Sequence, residues 1–344
     1  SPSLCLPPGL SPTDIRAAIT HTQNAHIDAP VHGDLLEVDP TLFEHDTSVY
    51  STNGLAPLDV FIEPDHLPAR LLVYDLDNIT KSQPDNEHIP AQYVRVYPAP
   101  PTSADAGLTP PRVAQLYLSG SVSLGRGHHS SVYNAPLRLQ REGQDGTREW
   151  CRAAVAVKTA LGQCGAHAML EHEARLYALF PRELMEDCFE GTEGGPATPS
   201  GEETVETGSP FVCPSDDGLA AASRISVIPA VVPKFYGYYA LMSPETGEVV
   251  SNRHRNCNVE GACWVEWPTR LLLLEQCGRD ISPADGRLDR ESMLDTLERL
   301  HEAGFVNGSA YTRNMLVQPG PLSAPRGERS MDSPSFRVID FGRG

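Results

Sequence analysis

The chain has 344 residues, a formal net charge of −18 and an apolar fraction of 40%, with 31 Pro and 28 Gly. That length can bury a sizeable core, and the Pro and Gly content points to long loops and inserts. No apolar run reaches the length of a membrane span, and no basic stripe exists to hold nucleic acid, so neither a bilayer nor a nucleic acid is an expected partner.

The charge is uneven. Residues 1–112 carry 15 acidic and 5 basic residues, and residues 183–217 carry 10 acidic and no basic ones. The acidity therefore belongs to an extension and an insert, where it keeps those segments solvated. The eight cysteines are scattered without a CxxC pair, which reads as reduced thiols in an intracellular protein, cytoplasmic or nuclear. His254, Cys257 and Cys263 lie close in sequence, but their spacing matches no standard zinc pattern.

In chain order, residues 1–112 show three short strand-like runs, 58–62, 70–75 and 92–97, separated by Pro-rich stretches. They read as an extension of unknown role, joined by a linker over 98–111. From Val113 the pattern tightens. Residues 113–124, 132–139 and 153–158 read as strands, with a polar turn over 141–147. Residues 166–180 carry Met169, Leu170, Leu176 and Tyr177 at helical spacing, and Pro181 ends that helix. Strand-like sequence returns at 227–241 and 270–275, a helix at 291–303, and strands before 317 and at 336–339. Acidic, Ser-rich or Pro-rich inserts are expected at about 183–224, 243–261 and 318–335.

Five motifs carry chemistry. Gly125-Arg126-Gly127, followed by Ser130 and Val132, is a Gly-rich turn whose backbone can approach phosphates. Val155-Ala156-Val157-Lys158 ends an apolar strand on a lysine, and Glu173 follows 15 residues later on the helix, with Glu171 as the weaker partner. Leu271 to Leu274 read as a buried strand that leads through a turn past Glu275 and Cys277. Asn307, Ser309 and Asn314 form a polar loop. Asp340-Phe341-Gly342 closes the series.

In that order the motifs resemble the protein-kinase-like superfamily, and most of all divergent fungal kinase-domain proteins with a degenerate, pseudokinase-like catalytic loop. The resemblance covers residues 113–344. It implies an α+β fold, with an antiparallel N-lobe sheet and one main helix over about 113–278, then the start of a helical C-lobe over 279–344. It implies ATP and magnesium as ligands. Gly125, Gly127, Ser130, Val132, Lys158, Glu275 and Cys277 would contact the nucleotide, Leu274 would be the gatekeeper, and Glu173 would pair with Lys158. Asn314 and Asp340 would ligate the metal.

Two departures stand out. Ser309 occupies the position of the catalytic Asp, and a hydroxyl is a negligible base at neutral pH. Asn307 replaces the preceding His. The expected function is therefore ATP–magnesium binding with weak or absent phosphotransfer. The alternatives are an active Ser/Thr kinase or small-molecule phosphotransferase, and a non-catalytic scaffold for a protein partner. The chain stops two residues after Gly342, where the resemblance implies an activation segment and more helices, so the chain reads as a fragment.

Overall fold

The computed structural model describes residues 47–63, 66–82, 90–100, 112–142, 148–190, 226–252, 257, 263–281, 290–309, 311–322 and 324–344. Most of the linker expected at 98–111, of the turn at 141–147 and of the first insert lies outside the described residues, as does part of the second insert.

Among the described residues, fourteen strands and three α-helices follow one another. They are β1 (Ala56–Pro57), β2 (Arg70–Asp75), β3 (Ala91–Tyr97), β4 (Val113–Leu118), β5 (Ser123–Arg126), β6 (Ser130–Glu142) and β7 (Arg148–Ala160). Helices α1 (Cys164–Tyr177) and α2 (Arg182–Met185) come next, then β8 (Cys188–Glu190), β9 (Ser226–Ile228), β10 (Phe235–Leu241) and β11 (Leu271–Leu274). The series ends with β12 (Arg279–Asp280), α3 (Arg290–Glu302), β13 (Met315–Gly320) and β14 (Ser330–Val338).

The main sheet closes on itself. Its strands run β7-β11-β10-β3-β2-β4-β6, and a thirteen-residue antiparallel ladder from Ser130↔Ala160 to Glu142↔Arg148 joins β6 back to β7. The result is a seven-stranded barrel, with β1 and β5 as short additions on β7 and β6. All ring pairs are antiparallel except β2–β4.

This ring overturns the expected protein-kinase-like α+β fold. An open N-lobe sheet above a helical C-lobe is not present. β2 and β3 come from residues set aside as an extension, and they fill the space between β10 and β4. No open edge remains in the ring, and closure satisfies every edge that would otherwise expose unpaired amides. Among the described residues the α-helices are few, of 14, 4 and 13 residues. Where a helical lobe was expected, β12, β13 and β14 form a second three-stranded sheet.

Two smaller expectations also change. Residues 58–60 form a 3-10 helix rather than a strand, and Leu58 from it helps plug the barrel. The Pro- and Ser-rich stretch 318–335 is largely a hairpin, since β13 runs to Gly320 and β14 restarts at Ser330.

Each barrel strand sends alternate side chains inward, as the two-residue strand period requires. Leu71, Val73, Tyr93, Leu116, Leu137, Val155, Val157, Tyr239, Leu271 and Leu273 meet in one core. The opposite faces of β7 and β11 are also buried. Ala156, Leu272 and Leu274 join a second core with Leu170, Ala174 and Tyr177 of α1, and with Met315, Val317, Phe336 and Val338 of the hairpin. Four consecutive leucines in β11 are the signature of a strand covered on both sides. Among the described residues, no helix is long and apolar enough to cross a membrane.

On α1, buried His167 stands edge-on to Trp267, with ring centroids 5.8 Å apart. Burial, followed by the nearby Arg270 and Lys81 charges, pulls its imidazole down to about 4. The folded state thus resists a proton that the unfolded state takes up near 6.5, and stability must fall as pH drops from about 6.5 toward 4. Between pH 7 and pH 5 this one group is expected to remove about 2 kcal/mol. Urea unfolding of wild type and His167→Phe at both pH values checks it. The loss should shrink in the variant, and equal losses would contradict it.

Candidate functional site

Lys158 lies near the end of β7, on the same face as Ala156 and Ala160, which pack against the second core. Val132 on β6 and Leu272 on β11 are its cross-strand partners. The barrel interior takes Val155 and Val157, so the alternation leaves Ala154, Ala156 and Lys158 on the outer face. The small alanines let α1 pack close, and Glu173 of α1 then meets the lysine.

The Lys158 ammonium donates to Glu173 Oε2 at 2.6 Å and to Asp340 Oδ1 at 2.8 Å. The Lys158 and Glu173 side chains are 10% and 2% exposed, while that of Asp340 is 46% exposed. Burial alone would pull the lysine down, but the two carboxylates outweigh it and hold the ammonium above its ordinary range. Glu173 is pushed up by burial and by Asp340, against the pull of Lys158. Both directions follow from one ammonium shared by two carboxylates, a triad of net charge −1.

Asp340 sits at φ +65°, a left-handed conformation that Asp tolerates better than most residues. The turn is pinned on both sides. Ile339 N–H donates to Asn314 O at 2.8 Å, and Phe341 N–H lies 3.4 Å from Glu173 Oε1. The Phe341 ring is buried edge-on against Tyr177 and Phe180, with centroids 5.7 and 4.9 Å away.

The polar loop 307–314 is tied to the same turn. Asn307 Nδ2 donates to Ile339 O at 2.9 Å, and Asn307 Oδ1 accepts from Ser309 N–H at 2.8 Å. Asn314 Nδ2 donates to Ser309 O at 2.7 Å, which leaves the side-chain carbonyl oxygen as the atom of this amide able to ligate a cation. Gly308 is required here: a Cβ would stand 2.2 Å from Arg343 O. Ser309 is 8% exposed, with both backbone groups engaged by the two asparagines.

The Gly-rich turn lies at the near end of the barrel. Gly127 N–H donates to Ser130 O at 2.8 Å, closing the β5–β6 hairpin, and Gly125 is exposed with open space at its Cβ position. His129 Nε2 is 3.4 Å from Arg343 Nη2, so the hairpin tip reaches the segment that follows Asp340. On the far side, Glu275 N–H donates to Lys234 O at 2.9 Å, and the Cys277 thiol contacts Glu275 O at 3.6 Å. Burial, then Glu275, keeps that thiol well above its usual range. Gly278, at φ +29°, lies so close to β13 that a Cβ would be 2.0 Å from Val317 O.

The structure therefore brings Lys158, Glu173 and Asp340 into direct contact and links Ser309 and Asn314 to them through the backbone. Val132, Ala156 and Leu274 supply an apolar wall beside Lys158. Glu171 does not join the triad and instead bonds Arg175 at 2.6 Å and Arg270 at 3.4 Å. A cavity of about 380 Å³ lies elsewhere, lined by Cys164, Glu171, His172, Arg175 and Cys257.

Sequence reading missed two clusters, one half-buried and one buried. Asp59 accepts from Lys234 Nζ and, at 2.7 Å, from Tyr236 OH. Burial would raise its carboxyl, but Lys234 and Tyr236 hold it below the usual range. Arg337, 1% exposed, donates to Ala230 O at 2.7 Å and stands 4.0 Å from Glu275 Oε2. Asp59 and Lys234 are 175 residues apart, so no local pattern could announce the pair.

No protein-family model matches the chain, and no curated protein matches it either. The kinase and pseudokinase labels implied by the motifs fall with the barrel fold, and the site stands on its own geometry.

Asn307 should behave as a clasp. Asn307→Ala removes two hydrogen bonds of a buried amide and leaves Ile339 O and Ser309 N–H unpaired, at an expected cost of about 2–4 kcal/mol. Denaturant titration measures this, and a loss below about 0.5 kcal/mol, the scale of ordinary surface substitutions, would refute it.

Proposed function

We propose that the chain binds a nucleoside triphosphate, ATP, together with magnesium beside Lys158, and that phosphoryl transfer by it is weak or absent. The observation that carries this reading is the Lys158–Glu173–Asp340 triad, in which an ammonium is held in place by a buried carboxylate and an exposed one. Glu173 fixes the lysine where a phosphate could replace Asp340 as its partner. Asp340, freed toward solvent, then offers a carboxylate to magnesium, and the Asn314 carbonyl oxygen offers a second hard donor. Magnesium usually takes one or two protein oxygens and completes its shell with phosphate and water, so this sparse donor set suits it. Among the described residues no group of three His, Cys, Asp or Glu could hold a metal by itself. The apolar wall of Val132, Ala156 and Leu274 fits a planar base.

Weak transfer follows from Ser309. A positioned base contributes about 10²–10⁴ in rate. A serine whose backbone is clasped by Asn307 and Asn314 serves the loop's shape, and no carboxylate replaces the base. An intracellular location belongs to the same reading, supported by scattered cysteines without paired spacing.

Calorimetric and thermal-shift titration with ATP tests the proposal. Magnesium-dependent stabilisation of about 2.7 kcal/mol is expected at ATP a hundredfold above Kd. It should be lost in Lys158→Met and should lose its magnesium dependence in Asp340→Ala. No stabilisation of the wild type would reject the binding reading. Turnover above about 1 s⁻¹, the ordinary enzyme range, would reject the weak-transfer part.

A further inference from the structure

The cysteines among the described residues divide into two kinds. The thiols of Cys151, Cys188 and Cys277 each contact a backbone carbonyl, at 3.5, 3.7 and 3.6 Å. Cys257 Sγ instead contacts Cys164 Sγ at 3.4 Å. Cys263 adjoins them, because its carbonyl accepts from Cys164 N–H at 2.8 Å and Gln163 bridges Trp264. All three are half-buried free thiols, and Cys164 and Cys257 line the 380 Å³ cavity, which gives a small solute access to the sulfurs.

The cluster forms across distant sequence. Cys164 opens α1 and Cys257 lies 93 residues later, so folding alone places the sulfurs together. A disulfide needs them about 2.05 Å apart. The 3.4 Å gap must therefore shorten for the bond to form. Burial, then Cys257 and Cys263, push the Cys164 thiol up to about 11. At neutral pH Cys164 thus keeps its proton.

We infer that Cys164 and Cys257 form a redox-active dithiol, an oxidation site that takes a hydroperoxide and closes a reversible disulfide. In the first step Cys257 sulfur attacks the peroxide, the O–O bond breaks, and Cys257 becomes a sulfenic acid while the alcohol, or water from hydrogen peroxide, leaves with a proton. In the second step Cys164 sulfur displaces the hydroxyl from Cys257 as water. Two thiols lose two electrons and two protons, and the peroxide gains both. The product ties residue 257 to the start of the helix that carries Glu173. In a reducing compartment such disulfides are transient and sensing rather than structural.

The test is peroxide treatment of the full chain, followed by non-reducing peptide mapping of the alkylated protein. The expected result is a Cys164–Cys257 linked peptide that dithiothreitol removes, with these two thiols lost at least about tenfold faster than buried Cys277. Cys164→Ser and Cys257→Ser should each abolish the link, and Cys151→Ser should keep it. The wild-type map stands even where a variant folds poorly. A dominant Cys257–Cys263 link, sulfinic products without a link, or loss of all thiols at one rate would overturn the inference.

Discussion

The structure depends on a single strand being buried on both faces. β7 turns Val155 and Val157 into the barrel, and turns Ala156 toward α1 and the β13–β14 hairpin and Lys158 toward Glu173 of α1. Branched residues fill the interior, and alanines let a helix lie against the exterior. Lys158 follows on the outward side, with its side chain only 10% exposed. Its charge can persist there only because carboxylates meet it. Shifting β7 by one residue would exchange the two sets and place the lysine inside the barrel.

Closure of the sheet sets the surroundings of that strand. β6 and β7 pair over thirteen residues, and β11 takes the other edge of β7. β2 and β3 complete the ring between β10 and β4. The site is therefore built on the barrel wall, with one carboxylate supplied by a helix and the other by the turn after β14. The Asn307 side-chain amide and the Asn314 backbone carbonyl clamp the polar loop to that turn, which makes the Asp340 position a property of the whole hairpin rather than of its own residue.

The same two-layer arrangement separates two chemistries along α1. Near its start, Cys164 meets Cys257 beside an open cavity. Two turns and more further on, Glu173 is sealed against Lys158 with almost no exposure. Soft, polarisable sulfurs occupy the accessible end and hard, charged oxygens the buried one. A helix that enters from a β-bridge at Gln163 and ends under Phe180 can serve both because each end is anchored by a different part of the chain.

Much of the local structure was legible in the residues. Alternation in 153–158, the helical spacing in 166–177 and the leucine run at 271–274 mark their elements, because strand and helix periods are properties of short segments. The pairing of Lys158 with Glu173 was also readable, from a strand end and a helix face. Closure was not. Whether 70–75 and 91–97 join a sheet depends on hydrogen bonds to β4 and β10, and nothing within those segments records their partners. The same holds for Asp59 with Lys234, for Cys164 with Cys257, and for Asn307 as a clasp on Ile339. By itself the sequence determined which segments become strands and helices and which faces they bury. Only the tertiary structure decided that the sheet closes into a barrel and that Asp340 reaches Lys158, because both depend on contacts between residues far apart in the chain.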